Sequence, residues 1–433
     1  MRTIRGRSVR RAVIAFAAAT VLGAVAACGG GGTSAPAAGA AGPTGLDDGT
    51  TLTLWTRAPL EKQSKLLVEA YNSSHKNKVE LTVVPNDDYV AKVGAAAGAS
   101  GLPDLLAADI VYVPNWVQQG LFQDISANID GLPFKGSINK GHLSAGTFEG
   151  KEYVLPFVLD LSMMFWNKDL FRQAGLDPEK APATMEEYAS AAKAVQKLGK
   201  PGTYGTATGL NCGGCLVFTW FPSIWAADQP VLSPDGNSSM LASPTASSVY
   251  QVWRDLWASG AVLPSSRDEA GPTWTAGFTE GKVGLMFYPA TLLSSTKGFD
   301  VGVAGIPGPA GGRSTFVGGD GVGVSKDSKK AAQAWNFLDW LMSEKAQVEV
   351  LGKNHDVVSR SDLAGNSYAA QDPRLVTINE VAAGGRTPVA TNFQQAFNAT
   401  NSPWLTLVRN AVLEDGAGLA KNNDEITAVL SQH

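Results

Sequence analysis

Between Phe148 and Phe171 the chain reads FEGKEYVLPFVLDLSMMFWNKDLF, an almost unbroken apolar run around one carboxylate, Asp160. The segment opens on a turn at Glu149-Gly150-Lys151 and passes through Tyr153-Val154-Leu155 into Pro156. It closes on Trp166-Asn167-Lys168-Asp169-Leu170-Phe171, which has the form of a helix start. Burying an Asp without a partner is costly. Taken alone, the stretch leaves two readings of Asp160: a local cap or pair, or a residue kept for a ligand.

The flanking sequence alternates between two periodicities. Leu52, Leu54 and Val79, Leu81, Val83 recur at every second position, which predicts short strands. Leu66, Leu67, Ala70 and Tyr71 between them follow helical spacing. An Ala-rich helix over Tyr89 to Ala99 precedes a buried strand, Leu105 to Ala108, that ends at Asp109. Beyond Phe171 the pattern continues. Thr184 and Glu187 are placed to cap a helix over 185–198. Strands are expected at 204–210, 283–288 and 301–306, a Gly-rich crossing at Phe316 to Val324, and helices at 249–256 and 331–342. Strands alternating with helices predict an α/β fold with a mostly parallel sheet covered on both faces.

The N-terminus belongs to another class of sequence. Five Arg and no acidic residue fall in the first 27 positions, ahead of an apolar run from Ala12 to Ala27. The run is short for a membrane span, and Val25-Ala26-Ala27-Cys28 has the form of a bacterial lipobox. Residues 1–27 are therefore expected to be a signal peptide, Cys28 a lipidated anchor, and 28–50, rich in Gly, Ala and Pro, a flexible tether. Without residues 1–27 the chain carries 30 basic and 39 acidic residues, a net charge of −9. That balance disfavours nucleic-acid binding through phosphate neutralisation. Cys212 and Cys215 lie in a Gly-rich stretch of an exported chain, where a local structural disulfide is the expectation and a redox-active pair the alternative.

Signatures of catalysis are scarce. The chain has no H-E-x-x-H, no P-loop, no G-x-S-x-G and no strict G-x-G-x-x-G, and its four His are scattered. No catalytic residue, metal ligand or cofactor is expected. Two carboxylates can make a glycosidase, and Asp109 with Asp160 is the pair to consider. The aromatic content says more. Of eleven Trp, Trp55, Trp220, Trp225 and Trp274 fall at strand ends or in segments without clear periodicity. Aromatic faces with Asp, Asn and Arg at strand ends suit the apolar faces and hydroxyl rims of a sugar.

Several short motifs in order give the chain a family resemblance. They are Leu52-Thr53-Leu54-Trp55, Gly101-Leu102-Pro103-Asp104, Gly150-Lys151-Glu152-Tyr153 with Pro156, Asn167-Lys168-Asp169-Leu170-Phe171, Ala174-Gly175-Leu176, Pro182 to Glu187, Phe278 to Gly281 and Ile306-Pro307-Gly308. Together they resemble the family 1 extracellular solute-binding proteins of ABC importers, the carbohydrate-type group that includes maltose-binding protein. Met185 stands where that family usually has Trp. The resemblance implies a two-lobed periplasmic-binding-protein-like fold, with ligand in a cleft between lobes joined by hinge crossovers. The lobes are expected over 51–157 with 318–352, and over 158–317 with 353–433.

By the same resemblance Asp160 bonds sugar hydroxyls, and Trp220 or Phe221 supplies an aromatic stacking face. Thr291 replaces an expected Trp, so that role passes to Tyr288. Asp109 follows a strand where ligand residues cluster, and Gly319 with Asp320 would bring backbone close to the ligand. Arg57 and Asn392 complete the expected set. The function implied is a monomeric, lipid-anchored receptor at the outer face of the cytoplasmic membrane. It would capture a carbohydrate and hand it to the transmembrane subunits of an ABC importer. A secreted glycosidase using Asp109 and Asp160, and an adhesive lipoprotein without a small ligand, are the alternatives.

Overall fold

The computed structural model describes residues 45–432, so the expected signal peptide and Cys28 lie outside the described residues. The main sheet contains β1 (Thr51–Arg57), β2 (Lys78–Val84), β3 (Leu105–Asp109), β4 (Leu155–Asn167), β5 (Tyr204–Ala207), β6 (Val283–Pro289), β7 (Val301–Ala304) and β8 (Val317–Val324). Its order is β2-β1-β3-β8-β4-β6-β5, with β7 also paired to β4. Pairing is parallel within β2-β1-β3 and between β5 and β6, and antiparallel wherever β4 or β8 takes part.

The first lobe is built on the predicted alternation. In β1, Leu52, Leu54 and Thr56 turn inward and are fully buried. They meet Leu67, Val68 and Tyr71 of α1 (Glu61–Ser74) and Ala334, Trp335, Phe337, Leu338 and Leu341 of a late helix, Ala331–Leu341. β3 lies mid-sheet and is buried at four of its five positions, which is why its sequence shows no alternation. Gly45 to Thr50 belong to this packed body, contrary to the expected tether. The Asn77 side chain accepts from the amides of Asp48, Gly49 and Thr50, and the Asp47 carboxylate accepts from those of Lys76 and Asn77. Their side chains satisfy the backbone that a free linker would leave to water.

The second lobe packs helices on the far half of β4 and on β5–β7. α2 (Met185–Gln196) begins at Thr184, whose hydroxyl accepts from the Glu187 amide at 3.0 Å. Glu187 reaches back to the amide of Ala183, one residue upstream of the expected capping-box partner. The aromatic stretch is α3 (Gly213–Trp225), a helix rather than an irregular segment, with Cys212 as its N-cap. It packs on α4 (Pro244–Ala258) and α5 (Pro403–Leu413). No helix among the described residues is long and apolar enough to cross a membrane.

The two lobes share one strand. Leu155 to Leu161 of β4 pair with β8, whereas Ser162 to Asn167 pair with β6 and β7. The apolar run around Asp160 is therefore a continuous crossover, buried at twelve of its thirteen positions, with Asp160 the exception.

Candidate ligand cleft

Asp109 is the last residue of β3 and Arg57 the last of β1, so parallel pairing brings both to one end of the first lobe. β8 runs antiparallel between β3 and β4, with Asp320 opposite Asp109 and Gly318 opposite Asp160. Residues far apart in sequence thus converge where the crossovers meet. A cavity of about 450 Å³ opens there, lined by Arg57, Gln63, Asp109, Asp160, Gly318 and Gly319 together with second-lobe residues. The latter include Cys215, Phe218, Trp274, Thr291, Phe316, Phe393 and Asn398.

The polar wall is organised around Arg57. Its Nε donates to Asp320 at 2.8 Å, its Nη2 pairs with Asp320 at 2.6 Å and its Nη1 with Asp109 at 3.0 Å. Asp320 is fully buried. Burial pushes its carboxyl up to about 6, against the pull of the guanidinium. Arg57 in turn is held charged by the two carboxylates despite its own desolvation. Behind β8, buried His142 donates from Nε2 to the Gly318 carbonyl at 2.9 Å, and burial lowers its ring to about 4, so it is neutral.

Asp160 is different. Its Oδ1 is inaccessible to solvent and has no hydrogen-bond partner among the described residues. Burial raises the carboxyl to about 7, opposed by the Leu161 amide and by Arg57, and reinforced by Asp109 and Asp356. Two more residues of the lining hold buried polar atoms in the same condition, the Nε1 of Trp274 and the Oδ1 of Asn398. Buried polar groups are almost always bonded to protein, water or ligand. All three atoms belong to residues of the lining but are themselves closed off from solvent in this conformation.

Two glycines let the backbone of the floor pack closely. Gly319 adopts φ +94°, and a Cβ there would collide with the Val158 carbonyl. A Cβ on Gly318 would come within 2.9 Å of the Phe218 ring. The ring lies over this backbone as a flat wall, 5.1 Å from Phe316.

Of the residues singled out from sequence, Arg57, Asp109, Asp160 and Gly319 line the cavity. Asp320 stands behind them as the anchor of Arg57. Tyr288 packs edge-on against Trp274 at 4.6 Å and is not part of the lining, whereas Thr291 is. Trp220 and Phe221 are elsewhere: both are fully buried, Trp220 stacking on Trp253 at 5.0 Å and Phe221 packing on Phe397 and Trp404. The helical period of α3 turns Gly214, Cys215, Val217 and Phe218 to the cavity and the next two aromatics into the core. Asn392 also points away, donating to the Leu430 and Gln432 carbonyls, while Phe393 and Asn398 reach the lining. The residues missed by sequence reasoning are chiefly aromatic: Phe218, Phe316 and Phe393. The sulfurs of Cys212 and Cys215 lie at disulfide distance at the start of α3.

The chain is similar to several known proteins. A relative from Brucella abortus is 26% identical over 356 residues, 79% of this chain and 84% of its own length. The diacetylchitobiose binding protein DasA of Streptomyces coelicolor is 25% identical over 421 residues, 92% of this chain and 94% of its own. In structure, the cyclic alpha-maltosyl-1,6-maltose binding protein of Arthrobacter globiformis superposes with a TM-score of 0.75 at 23% identity, covering 88% of this chain and 98% of that one. That likeness gives the fold: two lobes joined by hinge crossovers, of the maltose-binding-protein type. These are binding proteins, not enzymes. The bacterial extracellular solute-binding protein family matches residues 67–374, and this chain belongs to it.

Proposed function

We propose that the cleft captures a carbohydrate and that the protein delivers it to an ABC-type importer. One observation carries this reading. The cavity is lined by the aromatic side chains of Phe218, Trp274, Phe316 and Phe393 together with the polar side chains of Asp109, Asp160, Thr291 and Asn398. A sugar has an apolar C–H face to stack and a rim of hydroxyls that both donate and accept. The sugar-binding names of DasA and the Arthrobacter globiformis protein support the same class. Asp160 and Asp109 are the proposed polar contacts, with Arg57 and Gly319 shaping the wall and floor.

In this reading ligand bridges the lobes containing 51–157 with 318–352 and 158–317 with 353–433, and biases the hinge toward closure. Lipidation of Cys28 holds the receptor, a monomer, at the outer face of the cytoplasmic membrane, and Cys212–Cys215 is a structural disulfide beside the cleft. Calorimetric titration with a broad panel of mono- and oligosaccharides tests the carbohydrate assignment. At least one should bind below millimolar and quench or shift the Trp fluorescence. Binding by none of them would refute it.

A further inference from the structure

The charges in the cleft narrow the class of sugar. Among the described residues, Arg57 is the one basic residue of the lining. Its guanidinium is already engaged by two carboxylates, Asp109 and Asp320. No cation of the lining is left for Asp160, nor for an anionic ligand such as a sugar phosphate or a uronate. Asp160 meanwhile is the one half-buried residue of its strand, and it borders the same cavity as Phe218, Trp274, Phe316 and Phe393. A carboxylate lacking a counter-charge among aromatic faces is a setting that favours a cation, through charge-assisted hydrogen bonding and the negative faces of the rings.

We infer that the preferred ligand is a saccharide bearing a protonated amine, seated with its nitrogen on the Asp160 carboxylate. This rests on the carbohydrate reading and refines it. No other described residue of the lining offers that compensation. A neutral sugar leaves Asp160 to be satisfied as a protonated acid, which forgoes the stronger charged contact. The groups acting on Asp160 are Arg57 from β1, Asp109 from β3, Tyr288 from β6, and Asp356. Arg57 holds the carboxyl down, while Asp109 and Asp356 push it up. With the empty-cleft carboxyl near neutrality, arrival of an ammonium group expels its proton to the buffer.

The experiment is calorimetry of the full mature chain at pH 6, using matched saccharides that differ only in an amine, an acetamide or a hydroxyl. The probes are glucosamine, N-acetylglucosamine and glucose, and the corresponding β-1,4-linked dimers. Titrations are repeated in buffers of different ionisation enthalpy. The amine form should bind about tenfold or more tighter than its hydroxyl counterpart. Its apparent enthalpy should shift with buffer by the amount expected for release of close to one proton. In Asp160→Asn every form should lose affinity, but the amine form should lose about tenfold more than the hydroxyl form, so that the preference collapses. If that variant does not fold, the buffer dependence of the parent decides alone. Equal or tighter binding of the hydroxyl or acetamide form, or no proton release with the amine, overturns the inference and leaves the carbohydrate reading standing. Binding by no saccharide of any form overturns both.

Discussion

Replacing Asp160 with Asn in the ligand-free protein should flatten the dependence of stability on pH. The wild-type carboxyl moves from an ordinary value of 3.8 to about 7 on folding, because burial disfavours its charged form. A group whose folded value is raised binds more protons in the native state. Its contribution is intact below the unfolded value and is lost as pH rises through the folded one. The window therefore runs from about pH 4 to about pH 7. At 1.36 kcal/mol per unit, a shift of this size is worth about 4 kcal/mol. Asp160 borders an open cavity, so water relieves part of the desolvation, and about 2 kcal/mol is the expected loss between pH 4 and pH 8. Asn keeps the shape and cannot ionise. Urea denaturation of both proteins at half-unit pH steps gives the difference directly, and groups common to both, such as His142, cancel. The variant should be the more stable above pH 7, with the gap closing toward pH 4. Parallel profiles, within about 0.5 kcal/mol throughout, would show that Asp160 titrates in the fold as it does in the unfolded chain.

Three other substitutions separate the roles of neighbouring residues. Phe218→Ala removes the ring over Gly318 and should weaken saccharide binding about tenfold by calorimetry, with the fold retained by circular dichroism. Trp220→Ala should do the reverse, costing about 3–5 kcal/mol in urea denaturation because it empties a core site stacked on Trp253, with affinity of the folded protein unchanged. Arg57→Ala leaves the buried Asp320 carboxylate without its partner. The expected cost is about 3–5 kcal/mol at pH 8 and less at pH 5, where Asp320 can take a proton. An equal loss at both pH values would count against an orphaned charge.

How legible these features were depended on local pattern. Asp109 and Arg57 follow regular strands, and the end of a strand in an α/β sheet is where ligand groups gather. Asp160 announced itself as the one carboxylate of an apolar run. The aromatic wall was hidden. From Leu216 to Trp225 the helix has apolar residues on nearly every face and carries Pro222 inside it, so neither periodicity nor composition identified it as helical. Without the helical period, Trp220 could not be told from Phe218. Near the C-terminus, Gln394–Asn398 forms a π-helical turn, whose wider spacing obscures which residues face inward. Gly45 to Thr50 read as linker by composition, yet three backbone amides there converge on the Asn77 side chain, a contact about 30 residues away that local sequence does not reveal.

The strand shared by both lobes has a mechanical consequence. β4 is laddered into one lobe up to Leu161 and into the other from Ser162 onward, so the closure proposed above would pivot about Asp160 and the facing Gly318–Gly319. The register break between Asp320 and Gly321 supplies slack at the same point. A pivot located at the bound molecule moves its immediate contacts least and the outer rims of the lobes most, in the manner of pliers. Spin labels at exposed positions on the two lobes, such as Val90 and Lys297, should register ligand-driven closure as a change in distance. A label pair flanking Gly318 should register almost none.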